Sequence, residues 1–352
     1  MTTIATADDR LREIGKALHG TDQEIDFAAQ AETIGKILRL VEAKDVLVLG
    51  HNYMAPLVYQ ISGAEFRGDS LQLSRKAAES KRKIILFDGV RFMAETAKIL
   101  SPAKKVLIAD LTAGCSLADP FRAADVLDYR RRYPGVPVVT YVNSYADVKA
   151  ESDYCCTSSN GINVVRHAAR EFGTDRVLFL PDSLMGRNVQ DELDRSGEKI
   201  DVIFPGKYDD KAGQCEVHAA ITAESIRAIR KQFNLPKGGR TTRVLVHWEC
   251  PKEVVDEADV CGSTSGMIRH IADHPELERV YLGTECEMTA NLAAEFPQVE
   301  FVKTCQVFCQ HMRKITLDKI LRSLEEEIYE VTLPAELIER ARKPIERMLS
   351  IR

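Results

Sequence analysis

The sequence predicts an α/β protein: three homologous three-layer α/β domains with parallel sheets about a pseudo-threefold axis, and an active site at their central junction. Three observations lead there. From residue 45 onward, short apolar runs alternate with stretches of helical periodicity. Those runs fall into three sets of three. Each set then carries the same polar signature at the same place.

The first set is Asp-Val-Leu-Val-Leu-Gly (45–50), Lys-Ile-Ile-Leu-Phe (83–87) and Lys-Val-Leu-Ile-Ala (105–109). The second is 136–141, 176–180 and 201–204, and the third is 243–247, 279–283 and 299–302. Strands that are apolar throughout and separated by helices belong to parallel sheets covered on both faces. Each first strand ends in a polar cluster: His51-Asn52-Tyr53, Tyr141-Val142-Asn143 and His247-Trp248-Glu249. A small hydroxyl-bearing turn follows 17 to 19 residues later, at Ser70, Ser158 and Thr264. A cysteine then closes each unit, at Cys115, Cys215 and Cys309. The expected organisation is N-terminal helices over 1–44, α/β units over 45–130, 131–235 and 236–312, and C-terminal helices over 313–352 that pack back on the first unit.

Composition narrows the function classes. The 352 residues are 45% hydrophobic and 29% charged, ordinary for a globular protein. Net charge is −5 with no basic block, so nucleic acid and anionic membranes are poor partners. The sequence contains no apolar run of the roughly 18 residues a spanning helix needs. Its start has neither a basic leader nor an apolar core of a signal peptide, so a cytoplasmic location is expected. Nine cysteines, an odd number, argue for thiols, metal ligands or a nucleophile over a disulfide framework.

In open parallel sheets ligands bind beyond the carboxyl ends of the strands. Three units facing one axis would bring their strand-end clusters and their three cysteines to one cavity. Three thiolates without a fourth leave one metal position open to substrate, whereas closed iron–sulfur and structural zinc sites use four protein ligands. Ser70, Ser158 and Thr264 sit at strand–helix turns, where free N–H groups favour anions and where helix capping is the plainer role. The adjacent Cys155 and Cys156 point to opposite faces of an extended segment and make a poor chelate.

These residues resemble a known family, the quinolinate synthases of de novo NAD biosynthesis, over nearly the whole chain from residue 45. The landmarks are His51-Asn52-Tyr53, Gly68-Asp69-Ser70-Leu71, the run Gly89 to Ala97, Ala113-Gly114-Cys115-Ser116 and Tyr141-Val142-Asn143. They continue through Thr157-Ser158-Ser159, Pro181-Asp182 with Leu184 and Gly186, and Cys215 with His218. The last are His247 with Glu249, Gly262-Ser263-Thr264-Ser265, Gly283-Thr284-Glu285 and Cys309 with Met312. The resemblance implies a transferase that condenses iminoaspartate with dihydroxyacetone phosphate, an aspartate oxidase or dehydrogenase supplying the imine. It implies a [4Fe–4S] cluster on Cys115, Cys215 and Cys309, with one iron open as Lewis acid. It further implies His51, Ser70, Tyr141, Asn143, Ser158, His218, His247, Glu249 and Thr264 as substrate contacts. Tyr53, Tyr141, His247 and Glu249 form the proton-transfer set.

Cys305 and Cys309 compete for the third ligand position. Met312 and Ile315-Thr316-Leu317 favour Cys309, with Cys305 as a redox partner for it. Trp248 stands where the family pattern has proline, which frees the backbone and adds bulk near the site. Rival classes are an iron–sulfur hydro-lyase acting on a hydroxy acid, a radical enzyme using S-adenosylmethionine, and a non-enzymatic iron–sulfur sensor. The radical class lacks its third clustered cysteine here, and a sensor has no need of His, Tyr and Glu at three strand ends.

Overall fold

A computed structural model describes residues 6–304 and 307–351. Cys305 therefore lies outside the described residues. The chain is α/β, with three parallel four-stranded sheets flanked by helices. The first sheet contains β1 (Val46–His51), β2 (Arg67–Gly68), β3 (Ile84–Asp88) and β4 (Lys105–Leu107). The second contains β5 (Val138–Tyr141), β6 (Tyr154–Cys156), β7 (Arg176–Leu180) and β8 (Asp201–Ile203). The third contains β9 (Thr242–His247), β10 (Val260–Gly262), β11 (Arg279–Gly283) and β12 (Glu300–Phe301). All three sheets have the same order, with the second strand at one edge, then the first, third and fourth. Every residue of β1 is buried, as are all four of β5. An aliphatic run of this kind has no face to give to water, so helices must cover both sides.

Nine strands follow the nine apolar runs. The remaining three, β2, β6 and β10, are two or three residues long and lie at the sheet edges. Each ends immediately before one of the hydroxyl-bearing turns, so it carries that turn to the carboxyl end of the neighbouring first strand.

Two helices, Ala7–Leu18 and Glu24–Ala43, precede the first sheet. The first begins in a reciprocal cap: Thr6 Oγ1 accepts from Asp9 N–H at 3.1 Å, and the Asp9 carboxylate accepts from Thr6 N–H at 3.2 Å. The chain forms two compact units. One comprises Met1–Ala113, Cys286–Gln298 and Phe308–Thr332, and holds the first sheet. The other comprises Gly114–Glu285, Val299–Val307 and Leu333–Arg352, and holds the second and third.

The C-terminal helices part company, contrary to the expectation that both brace the first sheet. Leu317–Glu326 packs on the helix Glu24–Ala43. Ala335–Ser350 instead packs on the helix Ala146–Ala150 and on β6. Its buried face is Ala341, Pro344, Ile345 and Met348, and polar contacts fix its end. Asn160 Nδ2 donates to the carbonyls of Met348 and Ile351 at 3.1 and 3.2 Å, and Arg347 donates to Asp153 O at 3.0 Å.

At the end of β3, Asp88 is fully buried, and neither carboxyl oxygen has a hydrogen-bond partner among the described residues. Burial holds this carboxyl well above the usual carboxylate range. The folded protein thus keeps a proton that the unfolded chain releases above its ordinary pKa of 3.8. Stability from this group is complete below that value and declines as pH rises toward the folded pKa, by up to about 1.4 kcal/mol per pH unit. Asp88→Asn removes the dependence. The melting temperature of the variant relative to the parent should be higher at about pH 8 than at about pH 5. A difference that does not change with pH would mean that Asp88 is ionised in the folded chain.

Candidate active site

The three strand-end clusters are one backbone motif used three times. After β1, β5 and β9 the chain turns, and the first residue of each turn donates its N–H to the edge strand. Asn52 donates to Gly68 O at 3.1 Å, Val142 to Cys156 O at 2.8 Å, and Trp248 to Gly262 O at 3.3 Å. Trp248 therefore makes a bond that proline lacks the N–H to make, and its turn keeps the pattern of the other two. The histidines at the ends of β1 and β9 behave alike. His51 Nδ1 accepts from Tyr53 N–H at 3.2 Å, and His247 Nδ1 accepts from Glu249 N–H at 3.3 Å. Each imidazole therefore carries its proton on Nε2 when neutral.

In the unit that holds the second and third sheets, these turns build a polar centre around Glu249. The side chain is 3% exposed, so each oxygen must be satisfied by protein. Oε1 accepts from Tyr141 OH and from Asn143 Nδ2, the latter at 3.3 Å. Oε2 accepts from His218 Nδ1 at 2.9 Å. The other imidazole nitrogen of His218, Nε2, lies 2.8 Å from Thr284 Oγ1. A carboxylate only accepts, so the Nδ1 proton is fixed, and Nε2 meets the threonine hydroxyl as donor in the imidazolium or as acceptor in the neutral ring. His218 and His247 stack at 4.6 Å between centroids, and His247 Nε2 reaches Ser158 Oγ at 3.2 Å.

Two buried acids divide one charge here. Burial by itself would raise the Glu249 pKa. The charge and hydrogen bond of His218, the charge of His247 and the Tyr141 hydroxyl outweigh it and hold Glu249 below the usual range. Asp182, fully buried, goes the other way, raised by burial and by the Glu249 charge; its bonds from Met185 and Leu184 N–H offset only part. Its Oδ1 accepts both N–H groups at 2.9 Å and caps the helix Ser183–Arg195. Glu249 is thereby the ionised acid and Asp182 the protonated one, the separation of roles that acid–base sites use.

Tyr141, Asn143, Ser158, His218, His247 and Glu249 are thus brought together. Thr264 is buried at the first position of the helix Thr264–Asp273. The capping role falls to its neighbour Ser263, whose Oγ accepts from Gly266 N–H at 3.0 Å and also receives Ser159 OH at 2.8 Å. In the other unit His51, Tyr53 and Ser70 lie at the ends of β1 and β2, and Asp69 rather than Ser70 caps the following helix, accepting from Gln72 N–H at 2.9 Å. Capping thus belongs to Asp69 and Ser263, and Ser70 and Thr264 are not needed for it. Sequence reasoning missed Thr284 and Asp182 as site residues. Both sit just beyond the third strand of a sheet, a position whose repetition was visible at Pro181-Asp182 and Gly283-Thr284.

The cysteines separate by environment. Cys155, Cys156 and Cys250 are buried free thiols. Burial raises all three, Cys155 to about 12, and raises Cys261 as well, which makes them inert as ligands or nucleophiles. Cys115, Cys215 and Cys309 are half-buried. Cys115 and Cys215 lie on segments joined by a hydrogen bond, Glu216 N–H to Ser116 Oγ at 3.2 Å. Ligand atoms of Cys215, His218 and Glu249 lie within 4.8 Å of one another, a grouping compatible with a metal site. Cys215 thus stands in a grouping whose donors fit a metal, whereas the raised thiols of Cys155, Cys156, Cys250 and Cys261 do not.

Residues 35–350 match the family model described as Quinolinate synthetase A protein. The chain belongs to that family. Curated relatives carry the corresponding name. A quinolinate synthase of Caulobacter vibrioides is 45% identical over 327 residues, covering 93% of this chain and 84% of the relative. Quinolinate synthase 1 of Mesorhizobium japonicum is 45% identical over 327 residues, covering 93% and 94%. The quinolinate synthase of Agrobacterium fabrum is 44% identical over 321 residues, covering 91% and 86%. As a member of the quinolinate synthetase A family the chain is an enzyme.

Glu249→Gln removes the carboxylate around which this centre is built. Turnover should fall by about 10²- to 10⁴-fold, the usual weight of a general acid–base group. Thr284→Val removes the hydroxyl that meets His218 Nε2 and should cost about tenfold, the worth of one hydrogen bond. Steady-state rates on variants with unchanged circular dichroism check both. Wild-type turnover in Glu249→Gln would remove Glu249 from the chemistry.

Proposed function

We propose that this chain is a quinolinate synthase that condenses iminoaspartate with dihydroxyacetone phosphate, releasing phosphate and two waters. The observation that carries the reading is the buried, ionised Glu249 held by Tyr141, Asn143 and His218, in a chain whose family bears that name. Closing a pyridine ring from these substrates requires imine–enamine tautomerisation and two dehydrations, hence groups that both give and take protons.

The residues divide that work. Glu249 accepts a proton through Tyr141 or His218, each already hydrogen-bonded to it. His247 presents Nε2–H beside Ser158 and can donate a hydrogen bond from it to a departing oxygen. Asn143 orients the carboxylate and contacts the imine substrate. Ser158 and Thr264, with Ser70 of the other unit, offer turn N–H and hydroxyl groups to carboxylate and phosphate oxygens. Anion binding of this kind agrees with a chain of net charge −5, since it needs no basic patch. His51 and Tyr53, on the repeated turn after β1, complete the polar set.

Cys115, Cys215 and Cys309 would hold a [4Fe–4S] cluster, Cys309 entering through the family resemblance alone. Such a cluster supplies a Lewis acid that stabilises developing negative charge on oxygen. The five-part domain division, 1–44, 45–130, 131–235, 236–312 and 313–352, belongs to the same proposal, amended for the last helix. So does a cytoplasmic setting with an aspartate oxidase or dehydrogenase as source of the imine. Among the described residues no helix is long and apolar enough to cross a membrane.

Anaerobically reconstituted protein should form quinolinate only when both substrates are present, and exposure to air should end it. Cys215→Ala should lose the visible absorbance of the cluster together with turnover. Absence of product from protein with a confirmed four-iron cluster would reject these substrates, and dehydration of a hydroxy acid would then be assayed.

A further inference from the structure

The three strand-end turns share one more device, supplied each time by a different part of the chain. In the turn after β9, Asn188 Nδ2 donates to the carbonyls of Trp248 and Cys250, both at 2.8 Å. In the turn after β1, Asn291 Nδ2 donates to the carbonyls of Asn52 and Met54, at 3.1 and 2.9 Å. In the turn after β5, Lys149 Nζ donates to the carbonyls of Val142, at 3.0 Å, and Ser144. Each nitrogen bridges the carbonyls of the two residues that flank one residue in sequence, and that residue is Glu249, Tyr53 or Asn143. All three clamping side chains are buried. Because two carbonyls face each amide, its nitrogen and not its oxygen must point inward.

The donors follow a register. Asn188 and Asn291 each lie seven residues beyond corresponding positions, Pro181 and Thr284, on the helices Ser183–Arg195 and Cys286–Glu295. The same step from Asp88 along the helix Arg91–Leu100 reaches Glu95. A carboxylate has no hydrogen to offer a carbonyl, and in the remaining turn the donor is a lysine.

We propose that Asn188, Asn291 and Lys149 are positioning residues, a triplicated clamp that ties together the carbonyls of the residues before and after Glu249, Tyr53 and Asn143 and so aims those three side chains. The clamp acts locally: each donor governs one turn. It holds the backbone while leaving the central residue variable, so one geometry presents a phenol, an amide and a carboxylate. The consequence for catalysis rests on the functional reading above; the consequence for the backbone does not.

Hydrogen–deuterium exchange on the full chain tests the clamp. Asn188→Asp, nearly isosteric, replaces the donor with an acceptor that repels both carbonyls. Amides of 248–250 should lose protection by about tenfold or more while those of 142–144 stay as in the parent. Lys149→Met should do the reverse, and Asn291→Asp should act on 52–54 alone. Should Asn188→Asp fail to fold, Asn188→Ala repeats the comparison without the added charge. A general support role would instead lower protection throughout, and either that result or unchanged exchange at 248–250 would overturn the clamp. In assays, Asn188→Asp should lower turnover by about 10²-fold, the effect of a misplacement near 1 Å. Loosened amides with parental turnover would end the positioning role. A parent that makes no quinolinate would instead sink the functional reading and leave the exchange data to judge the clamp by themselves.

Discussion

A negative charge held out of contact with water, that of Glu249, is the constraint on which the polar centre of the second compact unit depends. An ion of this kind is tolerated only where donors replace its hydration shell, since the penalty otherwise runs to several kcal/mol. Glu249 draws those donors from separated stretches of chain: Tyr141 and Asn143 from the turn after β5, and His218 from the helix that follows Cys215. Two sheets must therefore present their strand ends to one point. Helix docking, turn geometry and histidine orientation in this unit all answer to that requirement. The same charge raises its neighbour Asp182 and keeps it protonated, so the acid–base character of the centre follows from burial and proximity alone.

Much of this was legible in the sequence because its signals are regular. Nine strands stood out as aliphatic runs with no polar alternation, and the triple repeat placed their polar ends in correspondence. Tyr141, Asn143, Ser158, His247 and Glu249 stand at such places, His218 was singled out by its offset of three residues from Cys215, and these six meet. The edge strands β2, β6 and β10 were not legible, since two or three residues carry no period. Nor was the docking of Ala335–Ser350, because an amphipathic face states that it will be covered without stating by what. Asn188, Asn291 and Lys149 were invisible for another reason: an amide or amine in a helix reads as surface until its acceptors are known.

Repetition with divergence also explains the cysteines. Buried thiols such as Cys155, Cys156 and Cys250 fill core volume and are chemically silent, as small apolar side chains would be. Cys115 and Cys215 lie in irregular segments outside the sheets, where a thiol stays accessible, and the Ser116–Glu216 bond keeps those segments together. Partial exposure, rather than the kind of backbone they sit on, thus separates these two thiols from the buried Cys155, Cys156 and Cys250.

The order in which the chain builds its two units has a consequence for synthesis. The first sheet emerges early, yet its unit also takes Cys286–Gln298 and Phe308–Thr332, which leave the ribosome after nearly all of the other unit. The earliest strands must wait, incompletely covered, for partners that arrive near the end of translation. Neither unit corresponds to a continuous stretch of message. A cut anywhere between 114 and 332 separates pieces that belong together. The first sheet therefore stays incompletely covered through the interval between the chain's first strand and its late helices, when exposed apolar surface favours aggregation.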